Sequence, residues 1–286
     1  MEIEKNDIGC SLRNVLFLTF LLFSFAITSL FAQSTNSIKS YRIYSPFQKD
    51  STTIRVLLPD NFSFHKTYKV LYVLPVREQG NRKNGDGLAE IIKNDLHNKY
   101  ELICVSPEFT HLPWYADHSN DKTRQDESHF LKTILPFVDE NYPTIKSKEG
   151  RLLIGFSKSG WGALTLLFRN PETFSKAAGW DIGIRMDTNL MNDSEDTEAI
   201  EYTFGDLGNF EKYRVSTLLK NNRQKLGGAS RIFYYNTEGN RAKGGVVIHN
   251  LMVVLGVPHR YLFEPKRKHR WDSGWIPRAV DFLVED

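Results

Sequence analysis

Short apolar runs alternate along the chain with segments whose apolar residues fall on one helical face. "YRIYSPF" (41–47) and "TTIRVLLPD" (52–60) read as two early strands joined by the polar "QKDS". "YKVLYVLP" (68–75) is an apolar strand closed by proline, and "ELICVSP" (101–107) is a buried one. Between them, "GLAEIIKNDLHN" (87–98) has helical spacing at Leu88, Ile91, Ile92 and Leu96. The alternation continues through a helix at 124–142, a strand at 151–157, a helix at 160–170, a strand at 176–181 and a helix at 209–226. It closes with a strand at 231–236, a helix at 246–256, a strand at 260–265 and a helix at 275–285. Strands that are apolar throughout, alternating with helices, imply an α/β fold with a mostly parallel sheet covered on both faces. Chemistry in such sheets collects beyond the carboxyl ends of the strands. The informative residues are therefore those just after each strand.

One such junction is "LLIGFSKSGWGALTLLF" (152–168). It nearly spells G-x-S-x-G, the sharp strand-to-helix turn that exposes a nucleophilic serine. Gly155 and Ser157 fit, but Ser159 stands where the last glycine belongs and Gly160 comes one place late. The turn needs small residues two places either side of the nucleophile. Ser159 is the smallest hydroxyl residue, and Gly160 and Gly162 leave room for close packing. A broken motif alone is a weak signal, and an ordinary Gly/Ser junction would read the same way.

The rest of the chain supplies what a serine nucleophile needs. A free hydroxyl is a poor nucleophile near neutral pH and requires a base. Three histidines follow Ser157. His249 lies inside a helix, and His259 begins the last strand, at the wrong edge. His269 lies in the loop after that strand, at the right edge, and is the candidate base. In the order serine, acid, histidine, two carboxylates that directly follow a strand are the candidates. Glu238 in "YYNTEGN" is placed first and Asp181 in "AAGWD" is the alternative. Asp272 comes after His269 and breaks the order. The candidate oxyanion donors are the backbone N–H of Lys158, after the nucleophile, and that of Val76 or Arg77 in the loop after "YVLP".

With these residues in place, the chain resembles the esterase D and feruloyl-esterase-like branch of the α/β-hydrolases. The resemblance runs from about Tyr41 to the C-terminus and rests on "TTIRVLLPDNF", "YKVLYVLP", "GFSKSGWGAL" and "HRWDSGWIPRAVDFL". It implies an α/β-hydrolase fold, Ser157 and His269 as catalytic residues, and the loop after Leu74 as the oxyanion hole. The chain departs from the family where Pro75-Val76 replaces the usual His-Gly, where Ser159 replaces glycine, and where "NTEGNRAKGG" contains no aspartate. The function implied is a serine esterase acting on a carboxylic ester, for instance an acetyl or feruloyl ester on a carbohydrate. An acyltransferase would use the same residues, and a catalytically silent binding protein would keep the fold.

Composition narrows the classes further. A formal net charge of +3 on 286 residues gives no support to nucleic-acid binding. "VLFLTFLLFSFAITSLFA" (15–32) has no charged residue and is followed by polar "QSTNS". It reads as a secretory signal peptide cut near Ala32-Gln33, the alternative being an uncleaved anchor. Residues 33–286 are then a single domain, secreted or periplasmic, with no stable membrane span after cleavage. Cleavage removes Cys10, leaving Cys104 in a buried strand as an inert core thiol. The sequence implies no cofactor and no metal motif, and it gives no oligomeric state. The tryptophans all follow strands, so Trp114, Trp180 and Trp271, with Tyr115, are the candidate substrate-binding residues. "HLPWYADH" (111–118) is the candidate substrate loop. The basic run "KRKHR" (266–270), usually just a solvated loop, would beside His269 disfavour the imidazolium and attract an acidic substrate.

Overall fold

A computed structural model describes residues 38–182, 194–237 and 240–285, all within one compact unit, Asn36–Asp286. The strands are β1 (Lys39–Ile43), β2 (Thr52–Leu57), β3 (Val70–Val73), β4 (Ile103–Pro107), β5 (Arg151–Phe156), β6 (Lys176–Trp180), β7 (Ile232–Asn236) and β8 (His259–Phe263). They form one sheet in the order β1-β2-β4-β3-β5-β6-β7-β8. β1 and β2 pair antiparallel, as do β2 and β4, and the remaining pairs are parallel. The expected α/β architecture is present.

Why the central strands read as unbroken apolar runs is plain from their two faces. On β3, Val70 and Tyr72 enter one core layer, and Leu71 and Val73 enter the other. The first layer is covered by the helical segments around Ile134, Leu166 and Leu218, the second by those around Ile91 and Val280. With both faces dry, neither side of the strand can be polar.

The helices, in chain order, are α1 (Gly87–Lys93), α2 (Leu96–Lys99) and α3, which runs continuously through Asp126–His129, Phe130–Ile134 and Leu135–Asn141. Then come α4 (Lys158–Arg169), α5 (Ser194–Phe204), α6 (Leu207–Tyr213), α7 (Val215–Leu226), α8 (Asn240–Val254) and α9 (Ile276–Val284). Two expected helices are broken. The one at 87–98 splits where Asp95 takes φ 53°, and the one at 209–226 splits where Arg214 is extended at ψ 127°. α3 loosens to a π turn over Phe130–Ile134, just before Pro136, whose ring excludes the ordinary carbonyl partner four residues back. α5 was not foreseen. In "SEDTEAIEYTF" only Ile200 and Phe204 are apolar residues that reach the core, a stripe too thin to register as amphipathic.

The expected signal peptide lies outside the described residues. No helix among the described residues is long and apolar enough to cross a membrane. Cys104 is fully buried and burial pushes its thiol pKa up, as suits an inert core residue.

Candidate active site

The junction between β5 and α4 is a strained elbow. Ser157 takes φ 56° and ψ −127°, a conformation that L-residues adopt only when the surroundings enforce it. Its N–H donates to the Trp180 carbonyl at 2.8 Å, and its own carbonyl accepts from Trp161 N–H at 3.1 Å, opening α4. A Cβ on Gly155 would overlap the Ser159 carbonyl, so glycine is required there.

Ser159, the irregular position, is fully buried and fully used. Its Oγ donates to the Phe156 carbonyl at 2.9 Å and accepts from Phe156 N–H at 3.0 Å. On that side of β5 the ladder with β3 ends, the last bond being Leu74 N–H to the Ile154 carbonyl at 3.0 Å. The hydroxyl therefore closes the strand end where a sheet neighbour has run out. Ser159→Ala is expected to lower stability by about 1–3 kcal/mol in urea unfolding, because it strands two buried backbone groups. Turnover by the folded variant should stay within about tenfold. Unchanged stability would mean that Phe156 finds other partners.

At the same edge, His269 presents Nε2 to Ser157 Oγ at 3.1 Å. Its Nδ1 is hydrogen-bonded to Asp181 Oδ2. This position, for which the sequence puts Glu238 first, is held by the alternative carboxylate, and Glu238 itself lies outside the described residues. The physical reason is sheet order. β6 lies directly beside β5, Phe156 opposite Trp180, so Asp181 emerges next to Ser157. Asp181 has no exposed surface, and its N–H donates to the Tyr235 carbonyl at 2.8 Å. Just after β7 comes Thr237, whose Oγ1 donates to Asp181 Oδ1 at 2.9 Å. Sequence reasoning missed Thr237, though it directly precedes Glu238 in a stretch already singled out. The imidazole is clamped by the Phe156 ring, with centroids 4.4 Å apart, and by Trp180 at 6.3 Å.

Lys158 is the first residue of α4, so its N–H points out of the helix N-terminus. β3 runs parallel to β5 with Val73 opposite Ile154. The chain leaves β3 through Leu74 and Pro75, so Val76 and Arg77 follow at the carboxyl edge of the sheet, the edge at which Ser157 leaves β5. Arg77, the rival donor, ties its side chain to Asn84 Oδ1 at 3.3 Å. Trp271, two residues after His269, donates its N–H to the Asn84 carbonyl at 3.0 Å and so pins the histidine loop to the same segment. A small, partly open pocket is lined by Pro75, Val76, Arg77, Asn84, Asp86 and Trp271, but neither Ser157 nor His269 lines it. Within its lining, Asp86 pairs with Arg55 at 2.9 Å and with Arg82 at 2.8 Å.

The aromatic expectation needs correcting. Tyr115 and Trp180 have no exposed surface and Trp271 is 3% exposed, so these side chains serve as core and offer a ligand almost nothing. Trp180 and Trp271 stack around Trp275 beneath the histidine, at 5.2 and 5.4 Å. Only Trp114 of the four keeps appreciable surface, set edge-on to Trp161 at 5.6 Å with Lys158 Nζ 5.8 Å from its ring centre. The basic run is also less available than its charges suggest. Arg267 is held by Glu264 and the Tyr235 hydroxyl, and Arg270 by Asp272 at 2.7 Å. Both arginines shape the loop that carries His269. His249 and His259 pair with each other, Nδ1 to Nε2 at 2.8 Å, at the amino end of β8.

Comparison with known proteins points to the same fold. A family model described as "Putative esterase" matches residues 45–180. Esterase Rv1288 of Mycobacterium tuberculosis is 29% identical over 135 residues, covering 44% of this chain and 28% of that protein. The chain thus spans well under half the length of that relative. A ferulic acid esterase structure superposes with TM-score 0.67 at 18% identity, covering 87% of this chain and 96% of that one. An S-formylglutathione hydrolase from Staphylococcus aureus superposes with TM-score 0.70 at 16% identity, covering 87% and 99%.

Proposed function

We propose that this chain, a member of the esterase branch of the α/β-hydrolases, hydrolyses a carboxylic ester through Ser157, His269 and Asp181. The observation that carries the reading is the unbroken chain from Ser157 Oγ through both nitrogens of His269 to a buried Asp181, set on a strained elbow. Ser157 Oγ attacks the carbonyl carbon as its proton passes to His269 Nε2, and the carbonyl oxygen takes the negative charge. Lys158 and Val76 N–H groups stabilise that charge. When the tetrahedral centre collapses, the alcohol leaves with the proton from Nε2, and the acyl group stays on Ser157. Water then attacks the acyl-enzyme, gives its proton to Nε2, and Ser157 recovers it as the acid departs. Asp181 holds Nδ1 protonated throughout, so Nε2 is the nitrogen that takes up each proton and gives it back.

For the substrate we propose an acetyl or feruloyl ester on a carbohydrate, received near Trp114 and the "HLPWYADH" loop. We further propose that the enzyme is exported by its Val15–Ala32 segment, which N-terminal sequencing of the protein released by its host would test. A panel of acetyl, longer aliphatic and feruloyl esters, assayed with Ser157→Ala as control, tests the activity. Turnover that depends on Ser157 is expected. No turnover on any ester, with no labelling of Ser157 by a fluorophosphonate, would leave a fold without the chemistry.

A further inference from the structure

The loop that supplies the second oxyanion donor has an anchor, and that anchor is a residue the sequence placed in the substrate pocket. Tyr115 Oη donates to the Pro75 carbonyl at 2.6 Å. That carbonyl belongs to the peptide unit whose N–H is that of Val76, and in a trans peptide the two point in opposite directions. Fixing the carbonyl from one side fixes where the N–H aims on the other. The Pro75 ring restricts φ just before it, so the peptide is held at both ends. We propose that Tyr115 is the positioning residue of the oxyanion pocket, aiming Val76 N–H by gripping the Pro75 carbonyl. This inference rests on the esterase reading above.

Tyr115 is itself held to an unusual degree. Its φ is 55°, a conformation costly for a tyrosine. The fully buried ring fits only because residue 162 is glycine, since a Cβ there would overlap it, and Phe109 packs against it edge-on at 5.3 Å. That accounts for the second glycine of "GWGAL", which the elbow alone does not require. The backbone is tied on both sides. Asp126, 2% exposed, accepts the N–H groups of Trp114 and Tyr115 on Oδ2 at 2.9 and 3.2 Å. Its Oδ1 is engaged by His111 Nε2 at 2.8 Å and by Gln48 Nε2 at 3.2 Å. The Tyr115 carbonyl accepts from Arg169, at the end of α4, at 2.8 Å. The hydroxyl thus sits on a rigid support that joins the nucleophile's own helix to the oxyanion loop. Burial, with Asp126 nearby, pushes the tyrosine pKa well up, so it remains a donor at any working pH.

The test is Tyr115→Phe, which removes the hydroxyl and keeps the ring in its Gly162 niche. Removing an oxyanion donor outright costs about 10²–10³ in kcat. Loosening its aim should cost about 10- to 100-fold, equivalent to about 1.4–2.7 kcal/mol. KM should stay within about twofold and the pH profile should not move, because His269 and Asp181 are untouched. Affinity for a phosphonate or boronate transition-state analogue should fall by the same factor as kcat. A purely structural role would instead lower the melting temperature and leave kcat of the folded protein alone, and kcat within twofold of wild type overturns the inference. A second readout needs no turnover. The ¹⁵N order parameter of Val76 should drop from about 0.85 to below about 0.6 in the variant, and an unchanged value overturns the inference as well. Absence of wild-type turnover would sink the esterase reading, and the Val76 order parameter would then decide alone whether Tyr115 holds the peptide.

Discussion

Ser157→Ala and His269→Ala should each lower kcat on an unactivated ester by a factor on the order of 10⁶, and the double variant should be no slower than either. The equality follows from the geometry. His269 has one role toward substrate, to take the Ser157 proton across 3.1 Å and return it. Without the serine there is no proton to take, and without the imidazole the serine stays a hydroxyl. Each deletion therefore removes the same event. A residual acceleration of about 10³–10⁴ over water should survive in all three variants, carried by the oxyanion donors and substrate binding. Neither single change should unfold the protein. Ser157 is an elbow residue whose hydroxyl is hydrogen-bonded to His269, and the His269 ring lies over Phe156 and Trp180, which pack with Trp271 and Trp275 whether or not it is there. Single-turnover kinetics on the three variants would check the pattern. Losses that multiply in the double variant would mean that serine and histidine act separately, and the proposed triad would be abandoned.

What could be read from the residues follows from what burial does to pattern. β3 to β7 are dry on both faces, so they announce themselves as apolar runs, and the chain order then puts Ser157 and His269 at one edge. The elbow was legible despite Ser159, because of the two positions flanking the nucleophile only 155 leaves no room for a Cβ. Three features lay beyond pattern. Which carboxylate reaches His269 depends on β6 being the sheet neighbour of β5, and both Asp181 and Glu238 satisfy the order along the chain. The tryptophans follow strands, as a pocket lining would, yet a strand end is also where a core continues, and Trp180 and Trp271 proved to be core. Charge in "KRKHR" was readable, but its use was not, since Glu264 and Asp272 neutralise the arginines only once the loop is folded.

Asp181→Asn should cost about 10⁴ in kcat, while Glu238→Gln should stay within about twofold of wild type. The asymmetry comes from hydrogen-bond polarity. In the native site, Asp181 Oδ2 accepts from His269 Nδ1, and Oδ1 accepts from Thr237 Oγ1 at 2.9 Å. An asparagine has one acceptor and one NH₂ donor in those places. With its oxygen facing the Thr237 hydroxyl, the amide nitrogen faces His269 and needs an acceptor there. The imidazole meets that need by moving its proton to Nε2, the nitrogen that must be free to receive the proton of Ser157. The side chain keeps its place and its volume while the base is in the wrong tautomer, so the loss should appear in kcat with little change in KM or melting temperature. Charge adds to the effect, because a neutral amide no longer stabilises the imidazolium that forms during attack. Thr237→Val tests the second half of the argument. It removes the donor to Oδ1 without touching the pair with His269, and should lower kcat only modestly, by about tenfold or less. Steady-state kinetics of the three variants on one ester would read all of this. Activity retained in Asp181→Asn and lost in Glu238→Gln would move the acid to the loop after β7 and refute the assignment of Asp181.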